Sequence, residues 1–264
     1  MDSTVLNYDV QNRVAYATLN RPERMNALNA ELSDALMNAV KLASSDDDVR
    51  VLVVRAAGEK AFCSGLDLDA RADETPMDPA RVRERTLHPE RSLHGVLLGC
   101  EKPVIAAVNG VAVGGGLGIA LCADIVVASD AARFGTAHVK LALPLLDILG
   151  HLLPHRVGPG RSADLAFTGR LVDAKEALEI GLADRVVKGV DLSEEVCSLA
   201  EEIAQHAPIS LYYSKQAIRR SYAETYLQYM QYERYIFGAS YYSDDAKESV
   251  RARRDKRAPV YRGS

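Results

Sequence analysis

No stretch of about 18 apolar residues free of charge occurs in this chain, so no membrane-spanning helix is expected. The amino terminus, Met1-Asp-Ser-Thr-Val5, has neither a basic start nor a long apolar core, and no signal peptide is expected. Cysteine is scarce. Cys63, Cys100, Cys122 and Cys197 are widely spaced and form no C-x-x-C, which suits reduced thiols in a cytoplasmic protein. No cluster of His, Cys and Asp has metal-ligand spacing, so no metal site is expected. Neither sign of charge dominates. Thirty-two basic residues face 36 acidic ones, a net charge of −4, so no global field favours nucleic acid. Low-complexity segments are absent as well.

What is present is enough apolar material for a sizeable core: 48% of 264 residues are hydrophobic, suiting one large α/β domain or a core with an appendage. Val5–Tyr8 and Arg13–Leu19 read as strands about a turn at Asn12. Residues 20–29 form a polar loop. Ala30–Ser44 has helical apolar spacing, and Val51–Ala56 is a buried strand. Residues 69–91 are charged, contain three prolines, and read as a mobile cover loop. Leu93–Cys100 reads as a short helix, Ile125–Ala128 and Arg133–Gly135 as strands. His138–Leu153 is apolar and partly helical. Three helices follow, at Ser162–Thr168, Ala174–Ile180 and Ser193–His206, with Asp173 and Asp191 near the starts of the last two. A tyrosine-rich helical region spans Ile209–Tyr242, and a basic tail runs from Arg251 to Arg262. Strand-plus-helix units starting near Val51 and Val104 hint at a repeat of roughly 50 residues. The alternation favours stacked, parallel-leaning sheets.

The run from Lys102 to Asp124 is the most informative. Val104–Val108 reads as a buried strand, Asn109-Gly110 as a turn, and Gly114-Gly115-Gly116 as the opening of a helix reaching about Ala123. Glycines there leave backbone N–H groups without intrahelical partners at the positive end of a helix dipole, where they can hold a developing oxyanion. A close-packed turn with no ligand would use the same residues. A dinucleotide fingerprint is a poor match, because Ile119 stands where the third glycine belongs.

Taken together, Asn20-Arg-Pro-x-x-x-Asn-Ala-Leu28, Ala61-Phe-Cys-Ser-Gly-x-Asp67, Pro103-Val-Ile-Ala-Ala-Val-Asn-Gly110 with Gly114-Gly-Gly116, Ala132-x-Phe-Gly135 and Lys256-Arg-x-Pro-x-Tyr261 resemble the crotonase, or enoyl-CoA hydratase/isomerase, superfamily. The resemblance runs nearly end to end. It implies an α/β fold, a spiral of ββα units over residues 1–200 with a helical C-terminal trimerisation region over 201–264. It implies homotrimers or homohexamers and an acyl-CoA thioester as substrate, with coenzyme A part of the substrate and no separate cofactor required. It also implies an oxyanion hole made by the backbone N–H groups of Leu66 and Gly115, stabilising a thioester enolate. Ser64 would border the adenine, and Arg24 and Lys256 would lie near the CoA phosphates, Lys256 from a neighbouring subunit. Solvated surface charge is the plainer account of those two.

The chain departs from the hydratase pattern at both catalytic glutamates. The resemblance places them at 118 and 138, and here those residues are Gly118 and His138. Hydration by two glutamates is therefore doubtful. What remains is His138 and Asp147, nine residues apart. Dienoyl-CoA isomerases and 4-chlorobenzoyl-CoA dehalogenase place an aspartate in this later segment, and β-diketone hydrolases such as 6-oxocamphor hydrolase have a His and an Asp at the same spacing. A carboxylate can fix an imidazole tautomer so that the imidazole activates water. Three readings follow: an enolate-forming enzyme of acyl-CoA esters, a C–C bond hydrolase of β-diketone type using His138 and Asp147, and a non-catalytic acyl-CoA binder. In the plainest alternative, His138 packs at the pocket wall and Asp147 caps a helix or pairs with Arg156. His88 and His94 lie near the cover loop, where either can face the pocket though the surface is the expected place, and His151 and His155 are expected in the helix after Asp147.

Overall fold

The computed structural model describes residues 4–69, 87–220, 230–231, 244–257 and 259. Strand β1 (Leu6–Gln11) turns through Asn12 and Arg13 into β2 (Val14–Leu19), antiparallel to it. Helix α1 (Ala30–Ser45) starts where the Asn29 side chain accepts from Leu32 N, and it buries Leu32, Leu36, Ala39, Val40 and Ala43.

A strand–strand–helix unit then repeats. Strand β3 (Val51–Ala56) is followed by β4 (Ala61–Cys63) and α2 (Leu93–Leu98), and β5 (Val104–Val108) by β6 (Val111–Val113) and α3 (Gly115–Cys122). A further pair is β7 (Ile125–Ser129) and β8 (Arg133–Gly135), and β9 (Val172–Asp173) and β10 (Arg185–Val187) close the two sheets. The first strand of each unit enters a six-stranded sheet of order β1-β2-β3-β5-β7-β10, and the second a four-stranded sheet of order β4-β6-β8-β9. Pairing is parallel except for β1/β2 and β8/β9. Parallel strands need covered faces, which explains the unbroken apolar run of β5 and the buried Val51–Val54 stretch of β3.

Helices α4 (Leu149–Val157), α5 (Pro159–Thr168) and α6 (Ala174–Ile180) complete the main core with α1–α3. Helix α7 (Leu192–Ala204) covers the other face of the large sheet with Leu192, Val196, Leu199, Ala200 and Ala204. The expected division at 200/201 therefore falls inside a helix packed on the sheet, and α7 ends only at Ala204.

Helix α8 (Pro208–Arg220) is joined to the core through Asp124, which accepts from Lys215 Nζ at 2.7 Å, Arg219 at 3.0 Å and Val104 N at 2.7 Å. Helix α9 (Asp244–Arg254) takes the first four residues of the expected basic tail. Most of the expected cover loop, and Tyr222, Tyr226, Tyr229, Tyr232 and Tyr235, lie outside the described residues. Among the described residues no helix is long and apolar enough to cross a membrane, and no group of three His, Cys, Asp or Glu could hold a metal ion. All four cysteines are free, three of them buried.

Candidate active site

Two backbone amides define one side of the site. Leu66 bridges Leu28 in parallel fashion: Leu28 N donates to Gly65 O at 2.7 Å, and Asp67 N donates to Leu28 O at 2.9 Å. In such a bridge the middle residue's own N–H points away from its partner. Gly115 is the first residue of α3, so its N–H has no intrahelical acceptor. The two loops touch closely: a Cβ on Gly65 would lie 3.4 Å from Gly115 N.

The motif around residue 20 holds this arrangement together. Arg21 pairs with Asp67 at 2.9 Å, both largely buried. Asn26, fully buried, donates to the carbonyls of Ala57 and Ala61 and accepts from Arg21 N. The loop carrying Leu66 is thus tied on two sides.

A cavity of about 570 Å³ opens on these amides. Ser64, Leu66, Gly115, His138 and Asp147 line it, as does Arg24 at its polar end. Leu66 is 47% exposed, its side chain being part of the cavity wall. Arg24 is paired with Asp69 at 3.0 Å. Lys256 is exposed and does not line the cavity; Arg253, on the last turn of α9, does.

The nine-residue spacing brings His138 and Asp147 together. His138 Nε2 lies 3.1 Å from Asp147 Oδ2. A carboxylate only accepts, so the proton of this bond is on Nε2. His138 is buried, and its Nδ1 has no hydrogen-bond partner. The Asp147 side chain is 35% exposed, against 8% for His138. The carboxylate is therefore the more accessible member, whereas the sequence pointed to the imidazole as the group that activates water.

Asp147 and Ile148 have φ of 56° and 61°. Left-handed backbone is uncommon for Asp and an outlier for a β-branched Ile, and such strain persists only where surroundings fix it. Ile148 is fully buried and stands at the N-cap of α4 without a side-chain cap bond. Ile148, not Asp147, stands at the N-cap of α4, and Arg156 pairs with Asp184.

Two positions one turn apart on α3 receive Asp147. A Cβ on Gly115 would meet Asp147 Oδ2 at 3.5 Å, and a Cβ on Gly118 would meet Asp147 O at 2.6 Å. Gly118 also faces His94, whose Nε2 would lie 2.7 Å from that Cβ. His94 is 9% exposed and sits in the first turn of α2, which corrects its expected surface placement. A lone histidine in an apolar segment gave no sequence signal for this, and neither did Arg253. His88 is partly exposed and pairs with Glu90. His151 and His155 are on α4, as expected. Burial pushes the Cys63 thiol up to about 12, with Asp147 adding to the rise, so it is no nucleophile at neutral pH.

Comparison with known proteins shows the family. The enoyl-CoA hydratase/isomerase family matches residues 9–264. The chain is 37% identical to an (E)-benzylidenesuccinyl-CoA hydratase of Thauera aromatica over 97% of this chain and 98% of that one. Among solved structures, an enoyl-CoA hydratase/isomerase from Pseudoalteromonas atlantica superposes with a TM-score of 0.88 at 37% identity, covering 98% of this chain and all of that one. A carnitinyl-CoA hydratase from Mycobacterium avium gives 0.86 at 32% identity over the full length of both chains. With the ββα spiral and the end-to-end match both in hand, the chain belongs to the enoyl-CoA hydratase/isomerase family, the crotonase superfamily.

Proposed function

We propose that this protein is an enzyme of acyl-CoA thioesters in which Asp147, not a glutamate pair, carries the proton. The thioester carbonyl oxygen rests between the amides of Leu66 and Gly115. Asp147 takes a proton from the carbon beside the carbonyl. The C–H electron pair becomes the enolate double bond, and the carbonyl π pair moves onto oxygen, where the two N–H groups stabilise it. The proton then returns from Asp147 to the same or a conjugated carbon. His138 donates from Nε2 to the carboxylate and holds its orientation, acting as a positioning residue.

One observation carries this reading: the Asp147 carboxylate reaches to 3.5 Å from a Cβ placed on Gly115, the residue whose amide is half of the oxyanion hole. The names of several relatives, hydratases of CoA esters, support the substrate class. The β-diketone route asks the imidazole to activate water. Here Nε2 is engaged by Asp147 and Nδ1 is buried, so the imidazole is arranged to serve the carboxylate.

The test is exchange in D2O with a panel of acyl-CoA esters. Wild type is expected to incorporate deuterium beside the carbonyl, and Asp147→Asn is not. Tight binding of every ester without exchange would instead mark the protein as an acyl-CoA binder.

A further inference from the structure

Gly118 stands where the family resemblance puts a catalytic glutamate, yet the space a side chain would need there is filled. The carbonyl oxygen of Asp147 and the ring of His94 take it, at 2.6 and 2.7 Å from an ideal Cβ. Both distances are below any real Cβ contact, and the first is to backbone, which cannot swing aside. Residues 115 and 118 share one face of α3, being one turn apart. Asp147 lies across that face with its carboxylate at Gly115 and its main chain at Gly118. The turn it belongs to is strained at two consecutive residues, and something must hold it in place. Below it is a helix without side chains at the contact points; beside it is a buried imidazole anchored on α2. Ser92 caps that helix by accepting from Gly95 N, which fixes the base of His94.

We infer that Gly118 and His94 are positioning residues that seat the strained Asp147–Ile148 turn on α3 and so aim the Asp147 carboxylate at the oxyanion hole. A side chain at 118 and a carboxylate delivered from 147 are then mutually exclusive. The glycine follows from the position of Asp147 and is not simply a lost glutamate. This inference rests on the acid–base reading of Asp147 given above. His94 acts here through its shape and its fixed ring, not by moving a proton.

The test uses the full-length protein, with two readouts. Without substrate, the ring nitrogen resonances of His138 report its bond to Asp147. Gly118→Ala and His94→Ala are expected to shift the Nε2 signal, whether or not any ester is turned over. With an ester that wild type exchanges, both variants should lose at least tenfold in kcat, while KM changes less than about threefold because the Leu66 and Gly115 amides remain in place. His94→Gln, which fills similar space and does not titrate, should keep kcat and the pH profile near wild type. An unmoved His138 signal with unchanged kcat in folded Gly118→Ala would overturn the inference. So would His94→Gln that is as slow as His94→Ala and loses one limb of the pH profile, since that makes His94 a proton carrier. Failure of wild type to exchange any ester, with the His138 signal shifting as expected, would sink the acid–base reading while leaving the seating of Asp147 intact.

Discussion

Asp147 Oδ2 accepts a hydrogen bond from His138 Nε2 at 3.1 Å, and of the two side chains the carboxylate is the more exposed to the cavity. This order sets the relative cost of removing each. Asp147→Asn keeps the shape but removes the acid–base group, so kcat should fall by roughly 10²–10⁴-fold. His138→Ala leaves the carboxylate present but poorly held, so its fall should be smaller. Steady-state kinetics on one ester decide the matter, and a larger loss in His138→Ala would return the base to the imidazole.

Arg24 lines the cavity but is already paired with Asp69, both exposed. A CoA phosphate must compete with that carboxylate. Arg24→Ala should weaken binding of a CoA ester more at low salt than at high salt, and leave a phosphate-free pantetheine ester unaffected. Titration calorimetry at two ionic strengths measures this. Equal losses for both esters would remove Arg24 from phosphate binding.

Asp124 joins two largely buried cations, Lys215 and Arg219, to the start of β5. Burial lowers the Lys215 pKa, and Asp124 works against that shift. Asp124→Ala would leave two buried charges unpaired and should cost about 3–5 kcal/mol in urea unfolding. A loss below about 1 kcal/mol, the range of a surface pair, would contradict the role assigned to it.

His151 is buried on α4, and burial, with His155 adding, pushes it down to about 4 from an ordinary 6.5. The folded pKa lies below the unfolded one, so between pH 6.5 and 4 the unfolded chain binds more protons. Stability is therefore complete above about 6.5 and falls as pH drops toward 4, by about 3 kcal/mol at the limit. His151→Gln should lose this share of the acid sensitivity. Identical pH slopes in the variant and wild type, from urea midpoints at pH 7 and 4.5, would assign the effect elsewhere.

Phe167, in the last turn of α5, is 78% exposed, and Leu171 and Val139 are exposed as well, Val139 reaching Gly169 just past the end of that helix. Large apolar side chains exposed in this way favour an interface. With the family resemblance setting the symmetry, a homotrimer or homohexamer is expected. Light scattering at micromolar concentration should give three or six times the 28.7 kDa chain mass, and a monomer would refute it.

Local patterning made much of the fold legible. β5 is an unbroken apolar run and β3 is apolar except at Arg55, and the predicted bounds of Val51–Ala56 and Val104–Val108 are those observed. Asp173 caps α6 as its position suggested, whereas Asp191 makes no side-chain cap bond. The helix read at Ser193–His206 is α7, Leu192–Ala204, and the 200/201 division falls inside it because its apolar face continues through 200 onto the large sheet. In the site, spacing brought His138 and Asp147 together. Both line the cavity, and the greater exposure of Asp147 goes with two left-handed residues, 147 and 148, that no periodicity announces. His94 was hidden for the same reason: its burial comes from α3 having a glycine opposite it, a contact across 24 residues of chain.

The central claim is best tested by a crystal structure with an unreactive acyl-CoA analogue bound. The account predicts the carbonyl oxygen within about 3 Å of both Leu66 N and Gly115 N. It also predicts an Asp147 carboxylate oxygen against the adjacent carbon and His138 still bonded to that carboxylate from behind. A carbonyl held elsewhere, or an Asp147 side chain turned away from the acyl group with His138 in its place, would contradict it.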